Sequence, residues 1–205
     1  GWNLYRSLYD HGRLVAKHPY RPILCIGNLT VGGSGKTPTV VFVADELARL
    51  DVGVVISCSG YGSPHSEQAS WAPDGPLEAW AWGDEAALFR ELRPDIPLLM
   101  DGGFQHLPLA KDATILLDPE TNNSMCIPAG PYREPRTHLG RADLVVGPRG
   151  SFRLVPSLSG FKSLSGDVER SGFEGPVSAF CAIGLPESFF QSLERQGLTV
   201  LNRGT

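Results

Sequence analysis

The feature that most restricts the fold of this chain is a glycine-rich loop placed between an apolar segment and a helix-like segment. The loop reads Thr30-Val31-Gly32-Gly33-Ser34-Gly35-Lys36-Thr37. Before it, Pro22–Ile26 has the composition of a short buried strand, and after it residues 37–50 carry apolar residues at helical spacing. In a strand–loop–helix unit, backbone N–H groups converge on phosphate oxygens and the helix directs its positive end at the anion. The sequence therefore predicts a P-loop.

Each part of this loop has a predicted task. The glycines allow phosphate oxygens to approach the backbone, Lys36 reaches the β- and γ-phosphates of ATP, and the Thr37 hydroxyl ligates Mg²⁺. The loop begins with Thr30 where the common pattern has glycine. The alternative is a glycine-rich turn with an incidental lysine, and the apolar strand directly before the loop favours the P-loop. We assign nucleotide binding to Thr30, Gly32, Gly33, Ser34, Gly35, Lys36 and Thr37.

The rest of the chain alternates strand-like and helix-like segments. Strands are predicted at 22–26, 52–57, 96–100, 113–117 and 144–146, and helices at 37–50 and at 77–92, where Gly83 interrupts the pattern. Such alternation is typical of an α/β fold with a mostly parallel sheet. We therefore predict an α/β, P-loop NTPase-like sheet flanked by helices, with a small C-terminal lobe.

Three regions are predicted from changes in composition. Residues 1–21 form an N-terminal amphipathic segment with a helix over 2–17, residues 22–149 form the P-loop domain, and residues 150–205 form a linker and a partial C-terminal lobe. Residues 59–76 are rich in Ser, Gly and Pro and are predicted to be a loop. Within the last region, residues 150–176 are a linker or small hairpin. A strand at 177–183 and a helix at 187–196 follow.

Charge and cysteine usage exclude several classes of protein. The net charge of −4 argues against a nucleic-acid binder, although Arg6, Arg13, Lys17 and Arg21 give residues 1–21 a charge of +3 against Asp10. The four cysteines are far apart and form no metal-binding pair, which predicts buried free thiols in a reducing compartment. No apolar stretch reaches the roughly 18–20 residues that cross a bilayer, and no signal peptide is recognised. We expect a cytoplasmic protein, or one that is peripheral at the inner membrane face.

Three further motifs carry charged residues that could belong to the site. Asp101 follows an apolar strand, where a carboxylate holds Mg²⁺ in P-loop enzymes or is simply a turn residue. Asp84 and its neighbour start a helix, which suits either a dipole-complementing cap or catalysis. Arg133 and Glu134 lie between two prolines, in a solvated turn or a site. Local chemistry leaves these alternatives open.

These motifs together resemble one family. The long string from Ile26 to Pro38 and the string Ile127-Pro128-Ala129-Gly130-Pro131-Tyr132-Arg133-Glu134-Pro135 closely resemble those of the tetraacyldisaccharide 4'-kinases, the lipid A 4'-kinases. The same family resemblance covers four shorter motifs in the same order, which are 60–62, 83–85, 101–106 and 182–190. The resemblance runs along the whole chain.

The resemblance implies an activity and roles for individual residues. It implies transfer of the ATP γ-phosphoryl group to the 4'-hydroxyl of a lipid A disaccharide precursor at the cytoplasmic membrane face, with ATP and Mg²⁺ as cofactors. By position, Asp84 is the base for the sugar hydroxyl and Arg133 a further catalytic residue. Thr37, Asp101 and Glu134 are the metal-side residues. Residues 1–17 are a candidate for peripheral contact with an anionic membrane, and the alternative is that their aromatic side chains pack on the domain.

The chain also departs from the family pattern. Gly102 stands where the family has a second aspartate, Ser59 stands where it has an arginine, and fifteen residues separate Glu85 from Asp101 where it fits a further strand and helix. An Asp-His-His segment that supplies the base with a histidine partner has no counterpart before Thr205. These departures keep open an alternative, a nucleotide-binding pseudokinase or interaction module. A P-loop ATPase with a KGGxGKT loop is disfavoured, because Val31 occupies the place of the first lysine.

Overall fold

The computed structural model describes residues 2–17, 22–58, 63–65, 70–93, 98–100, 103–119, 121–153, 155, 160–162, 169–170, 175–183 and 186–205. In chain order the elements are α1 (Trp2–Asp10), β1 (Leu24–Asn28), α2 (Lys36–Arg49), β2 (Ile56–Cys58), β3 (Ser70–Trp71), α3 (Ala79–Trp82), α4 (Asp84–Leu92), β4 (Leu98–Met100), β5 (Ala113–Leu117), a 3₁₀ helix (Arg136–Arg141), β6 (Leu144–Val146), β7 (Phe161–Lys162), β8 (Glu169–Arg170), β9 (Val177–Phe180), α5 (Pro186–Arg195) and β10 (Val200–Gly204).

The P-loop strand belongs to a parallel three-stranded sheet. β5 lies between β1 and β6, and both pairs are parallel, with Asn28 opposite Leu117 and Leu117 opposite Val146. The middle strand is the most buried, since Leu116 and Leu117 are almost inaccessible. Because parallel strands end at the same edge of a sheet, the segments after β1, β5 and β6 leave it on one side.

A second three-stranded group lies next in chain order. β4 pairs in parallel with β2 and antiparallel with β3. The expectation that 59–76 is loop throughout is wrong at Ser70–Trp71, because these residues add a short edge strand whose partner, β4, is distant in sequence. The predicted α/β class with a mostly parallel sheet is confirmed.

The helices that follow the P-loop and Gly83 share one core. α2 contacts β1 and α4, and α4 contacts β2 and β4. Ala44, Ile56 and Phe89 are buried together there, and Val41 and Trp82 pack against them. This packing fixes the N-terminus of α4 relative to the N-terminus of α2, which positions two of the predicted site motifs.

Several element boundaries differ from the prediction. The helix predicted over 2–17 ends at Asp10, because Gly12 takes a φ of 67° and the Leu14 amide turns back to the Leu8 carbonyl at 2.9 Å. The strand predicted at 52–57 is reduced to Ile56–Cys58 after Asp51, which has a φ of 58°. The strand at 22–26 lies two residues later, at Leu24–Asn28.

The C-terminal part is a set of short elements. β7 and β8 form the small antiparallel hairpin that was one of two expectations for 150–176. β9 pairs in parallel with β10, a strand that the sequence did not predict, and α5 contacts β10. The division of the chain at 21 and 149 stays a prediction. Within the described part of the chain, no helix is both long and apolar enough to cross a membrane.

Candidate functional site

The loop between β1 and α2 is shaped by two glycines with positive φ. Gly32 has a φ of 87° and Gly35 a φ of 79°. A Cβ at either position would meet nothing within 4 Å, so the backbone conformation, and not crowding, favours glycine there. The Gly35 carbonyl accepts hydrogen bonds from the amide and hydroxyl of Thr39 at 3.1 and 2.7 Å. The chain thus turns directly from the loop into α2.

The outer surface of the loop is open and contains one unpaired polar atom. Val31, Gly32, Gly33 and Gly35 are exposed. The Ser34 hydroxyl oxygen is buried and has no hydrogen-bond partner among the described residues. Buried polar atoms are nearly always paired in proteins, so this hydroxyl calls for a partner that the protein does not supply. A phosphate oxygen on the loop would be such a partner, and the loop therefore fits a nucleotide phosphate.

Charges from three separate segments meet at Lys36. Its Nζ donates to Oδ1 of Asn28 at 3.1 Å. Burial lowers the pKa of Lys36 below its ordinary value, the positive charge of Arg133 lowers it further, and the negative charge of Glu85 opposes both. Arg133 lies on the segment that pairs with the entrance of the loop, and Glu85 lies in α4, which packs on α2. The P-loop, the start of α4 and the 131–134 segment therefore share one electrostatic environment.

The 131–134 segment lies against the entrance of the loop like an added strand. The amide of Val31 donates to the Pro131 carbonyl at 2.8 Å, and the amide of Arg133 donates to the Leu29 carbonyl at 2.6 Å. Thr30 and Tyr132 form the antiparallel bridge between these bonds. The pairing leaves the Arg133 side chain exposed beside the loop, where it could contact a bound nucleotide.

Glu134 is turned inward from the same segment. Its side chain is 1% exposed, and Oε2 accepts from His138 Nδ1 at 2.8 Å and from Arg141 Nη1 at 3.1 Å. The other oxygen, Oε1, is buried without a partner in the described part of the protein. The Arg141 guanidinium also lies 4.5 Å from the centre of the Phe104 ring. Arg141 thus links Glu134 to the segment after β4. A metal ion could use only the free oxygen of Glu134.

Asp84 is the first residue of α4. It follows Gly83, which has a φ of 88°, and its side chain is exposed. Its Oδ1 accepts a hydrogen bond from the Glu85 amide at 2.9 Å. This geometry is compatible with either role, cap or catalytic base, since the carboxylate supports the helix start and also faces solvent.

Asp101, the other predicted metal residue, and Gly102 lie outside the described residues. The segment that follows them is described, and it packs closely on β1. A Cβ added to Gly27 would come within 2.5 Å of the Phe104 Cβ, so only glycine allows this approach. Gln105 Nε2 donates to the Asn28 carbonyl at 3.0 Å. The segment after Asp101 is therefore held against the strand that leads into the P-loop.

Two predicted loop residues have different surroundings. Thr30 is 2% exposed, and its carbonyl and hydroxyl accept from Asn28 Nδ2 at 2.8 and 3.2 Å. Thr30 therefore stabilises the base of the loop through Asn28 and is too buried to contact a ligand with its side chain. Thr37 is half-buried in the first turn of α2, where its hydroxyl could ligate a metal.

Among the described residues, no group of three or more histidine, cysteine, aspartate or glutamate side chains could hold a metal ion.

Asn28 and Gln105 are functional candidates that the sequence reasoning did not assign. Asn28 is a polar residue at the end of a buried strand, which is the signal that could have identified it. Gln105 was noticed only as part of a motif. Tyr132 was also missed; it is 1% exposed and donates to Asp118 at 3.3 Å, and Asp118 also pairs with Arg136.

A parallel strand, a glycine turn and a helix that carries a lysine define this chain as a P-loop phosphate-binding protein of the α/β class. The family model for tetraacyldisaccharide-1-P 4'-kinase matches residues 2–98 and 90–204. The chain belongs to the tetraacyldisaccharide 4'-kinase family, and the resemblance drawn from its motifs is confirmed.

Individual proteins of this family are similar to the chain over most of its length. The tetraacyldisaccharide 4'-kinase of Geobacter sulfurreducens is 32% identical over 238 positions, covering 94% of this chain and 67% of the relative. The enzyme of that name from Geobacter metallireducens is 34% identical, covering 93% and 69%, and that of Verminephrobacter eiseniae is 32% identical, covering 95% and 54%. A crystal structure of LpxK from Aquifex aeolicus in complex with ATP aligns with a TM-score of 0.74 at 27% identity, over 99% of this chain and 76% of that one.

The alignment to the relatives has an internal gap. The first alignment spans 238 positions but covers only 94% of a 205-residue chain, so some 45 positions have no residue of this chain opposite them. The two matches of the family model overlap at 90–98. Both observations agree with the shortening between Glu85 and Asp101 noted in the sequence, and the overlap places the break in the family match at the end of α4 and the residues after it.

Proposed function

We propose that this protein is an ATP-dependent kinase that transfers the γ-phosphoryl group to the 4'-hydroxyl of a tetraacyldisaccharide 1-phosphate. The observation that carries the proposal is the environment of Lys36, where the P-loop, the helix start at Asp84 and the segment that contains Arg133 converge. Together with membership of the 4'-kinase family, this convergence supports a phosphoryl-transfer site.

In the proposed reaction, the loop amides, the Ser34 hydroxyl and Lys36 hold the β- and γ-phosphates. Arg133 neutralises charge that develops on the transferred group. Asp84 accepts the proton of the 4'-hydroxyl while the oxygen–phosphorus bond forms and the bond to the β-phosphate breaks, releasing ADP. Thr37, Asp101 and the free oxygen of Glu134 would hold Mg²⁺, which supplies charge neutralisation on the phosphates.

A second candidate is a nucleotide-binding pseudokinase or interaction module. Gly102 favours it, because the family has an aspartate there and its loss removes a carboxylate next to the predicted metal residue. For the same reason we expect the protein to retain nucleotide binding better than it retains catalytic turnover.

ADP release from Mg-ATP, measured with and without a tetraacyldisaccharide 1-phosphate, distinguishes the candidates. Release that depends on the disaccharide, with a phosphorylated lipid product, is expected for the kinase. ATP binding without any release would indicate the pseudokinase. Release that ignores the disaccharide would indicate a simple P-loop ATPase, which contradicts the proposal.

We also propose that the segment of residues 1–17, which includes α1, contacts an anionic membrane surface, where the lipid substrate would lie. Leu4 and Val15 are 71% and 82% exposed, and the exposed Arg13 and Lys17 add positive charge to the segment, in which Arg6 pairs with Asp10. Exposed apolar side chains beside basic ones suit the interface of an anionic bilayer.

Replacing Leu4 with Glu is expected to reduce co-sedimentation with anionic vesicles, because it puts a charge where an apolar side chain would enter the interface. Leu50→Glu is the matched control, since Leu50 is 73% exposed on a different helix end. Equal binding by the parent and Leu4→Glu would instead mean that α1 stays on the protein.

A further inference from the structure

Asn28 is a buried amide whose polar atoms are all engaged at the entrance of the P-loop. It is the last residue of β1 and is 3% exposed. Its side-chain nitrogen donates to the Thr30 carbonyl at 2.8 Å and to the Thr30 hydroxyl at 3.2 Å, and its side-chain oxygen accepts from Lys36 Nζ at 3.1 Å.

These partners determine which way the amide points. If the amide were reversed, its NH₂ group would face the Lys36 ammonium and its oxygen would face the Thr30 carbonyl, and both contacts would be repulsive. The main chain of Asn28 is fixed as well, by its register opposite Leu117 in β5 and by Gln105 Nε2, which donates to its carbonyl at 3.0 Å. The oxygen that Lys36 meets is thus held in place by three other segments.

An ammonium group has three donors. One bond to Asn28 leaves two protons of Lys36 for phosphate oxygens, so the contact can persist when a nucleotide is bound. A lysine side chain otherwise loses considerable rotamer freedom when it is held in one direction. A contact that already restrains it lowers this cost for the ligand.

We propose that Asn28 is a positioning residue for nucleotide binding, which restrains the Lys36 ammonium above the P-loop. The inference rests on the proposed ATP site but concerns a residue to which that proposal gives no role.

A double-mutant cycle of Asn28→Ala and Lys36→Ala, read as ATP affinity, tests this inference. Asn28→Ala is expected to weaken binding about threefold to tenfold, as for the loss of one hydrogen bond. In the Lys36→Ala background the same change should have little further effect, because its partner is gone. A structural role alone would make the two effects add. Additive effects, unchanged affinity or tighter binding would each overturn the inference.

A comparison of two nucleotides gives a second readout that does not depend on the stability of Asn28→Ala. In the proposed site Lys36 meets the β- and γ-phosphates, which AMP lacks. Asn28→Ala should therefore weaken the binding of ATP and leave the binding of AMP unchanged. An equal loss for both nucleotides would contradict the inference.

The parent protein separates this inference from the proposed function. If the parent binds ATP and the cycle is additive, only the role of Asn28 is wrong. If the parent does not bind ATP, the nucleotide site and the role of Asn28 are both wrong.

Discussion

Replacing Asp84 with Asn is expected to reduce lipid phosphorylation by about 10²–10⁴-fold, the usual contribution of a positioned general base. An amide cannot accept the proton of the 4'-hydroxyl. Its oxygen can still accept the hydrogen bond that the Glu85 amide donates to Asp84 Oδ1 at 2.9 Å. The start of α4 should therefore survive the change, and ATP affinity should stay close to that of the parent. Initial rates of product formation, measured beside ATP binding, check both expectations.

Glu91→Gln is the control for Asp84→Asn. Glu91 is an exposed acid in the same helix, so this substitution removes the same charge away from the proposed base. Its turnover is expected to match the parent. Robust phosphorylation by Asp84→Asn would show that another group takes the proton. If the parent itself binds ATP and never phosphorylates the lipid, the pseudokinase explains the chain better.

The strand, glycine turn and helix of the P-loop could be predicted from the sequence because their determinants are local. An apolar strand, glycines and a lysine at the start of a helical pattern are adjacent along the chain, and the structure has Gly32 and Gly35 in conformations that favour glycine. The break at Gly83 could be predicted for the same reason, since α3 ends at Trp82 and α4 begins at Asp84.

What the sequence did not predict depends on partners that are distant along the chain. β10 (Val200–Gly204) ends in Asn202, Arg203 and Gly204, which do not favour a strand, and its strand conformation depends on pairing with β9. Glu134 is turned inward by its contacts with His138 and Arg141. Its exposed neighbour Arg133 is also a charged residue between the same two prolines, so the sequence alone does not show which of the two is buried. Periodicity carries no information about such contacts.

Replacing Lys36 with Ala is expected to weaken ATP binding about tenfold to hundredfold, equivalent to roughly 1.5–3 kcal/mol for hydrogen bonds to a charged group. In the proposed site, the loop directs this ammonium at the β- and γ-phosphates. The pKa of Lys36 is lowered by burial and by Arg133, and the charged form is the one that binds phosphate. The affinity of the parent should therefore fall as pH rises through this lowered pKa, and Lys36→Ala should lack that pH dependence.

Arg195→Ala is the control for this prediction, because it removes one positive charge from the exposed end of α5 and leaves the loop unchanged. If both variants bind ATP equally, the loss reflects net charge and the loop has no special part in binding. Calorimetric titration with ATP at several pH values separates the two explanations, since only a lysine in contact with phosphate links proton loss to weaker binding. A Lys36→Ala variant that binds as tightly as the parent would contradict the assignment of this loop to nucleotide phosphates.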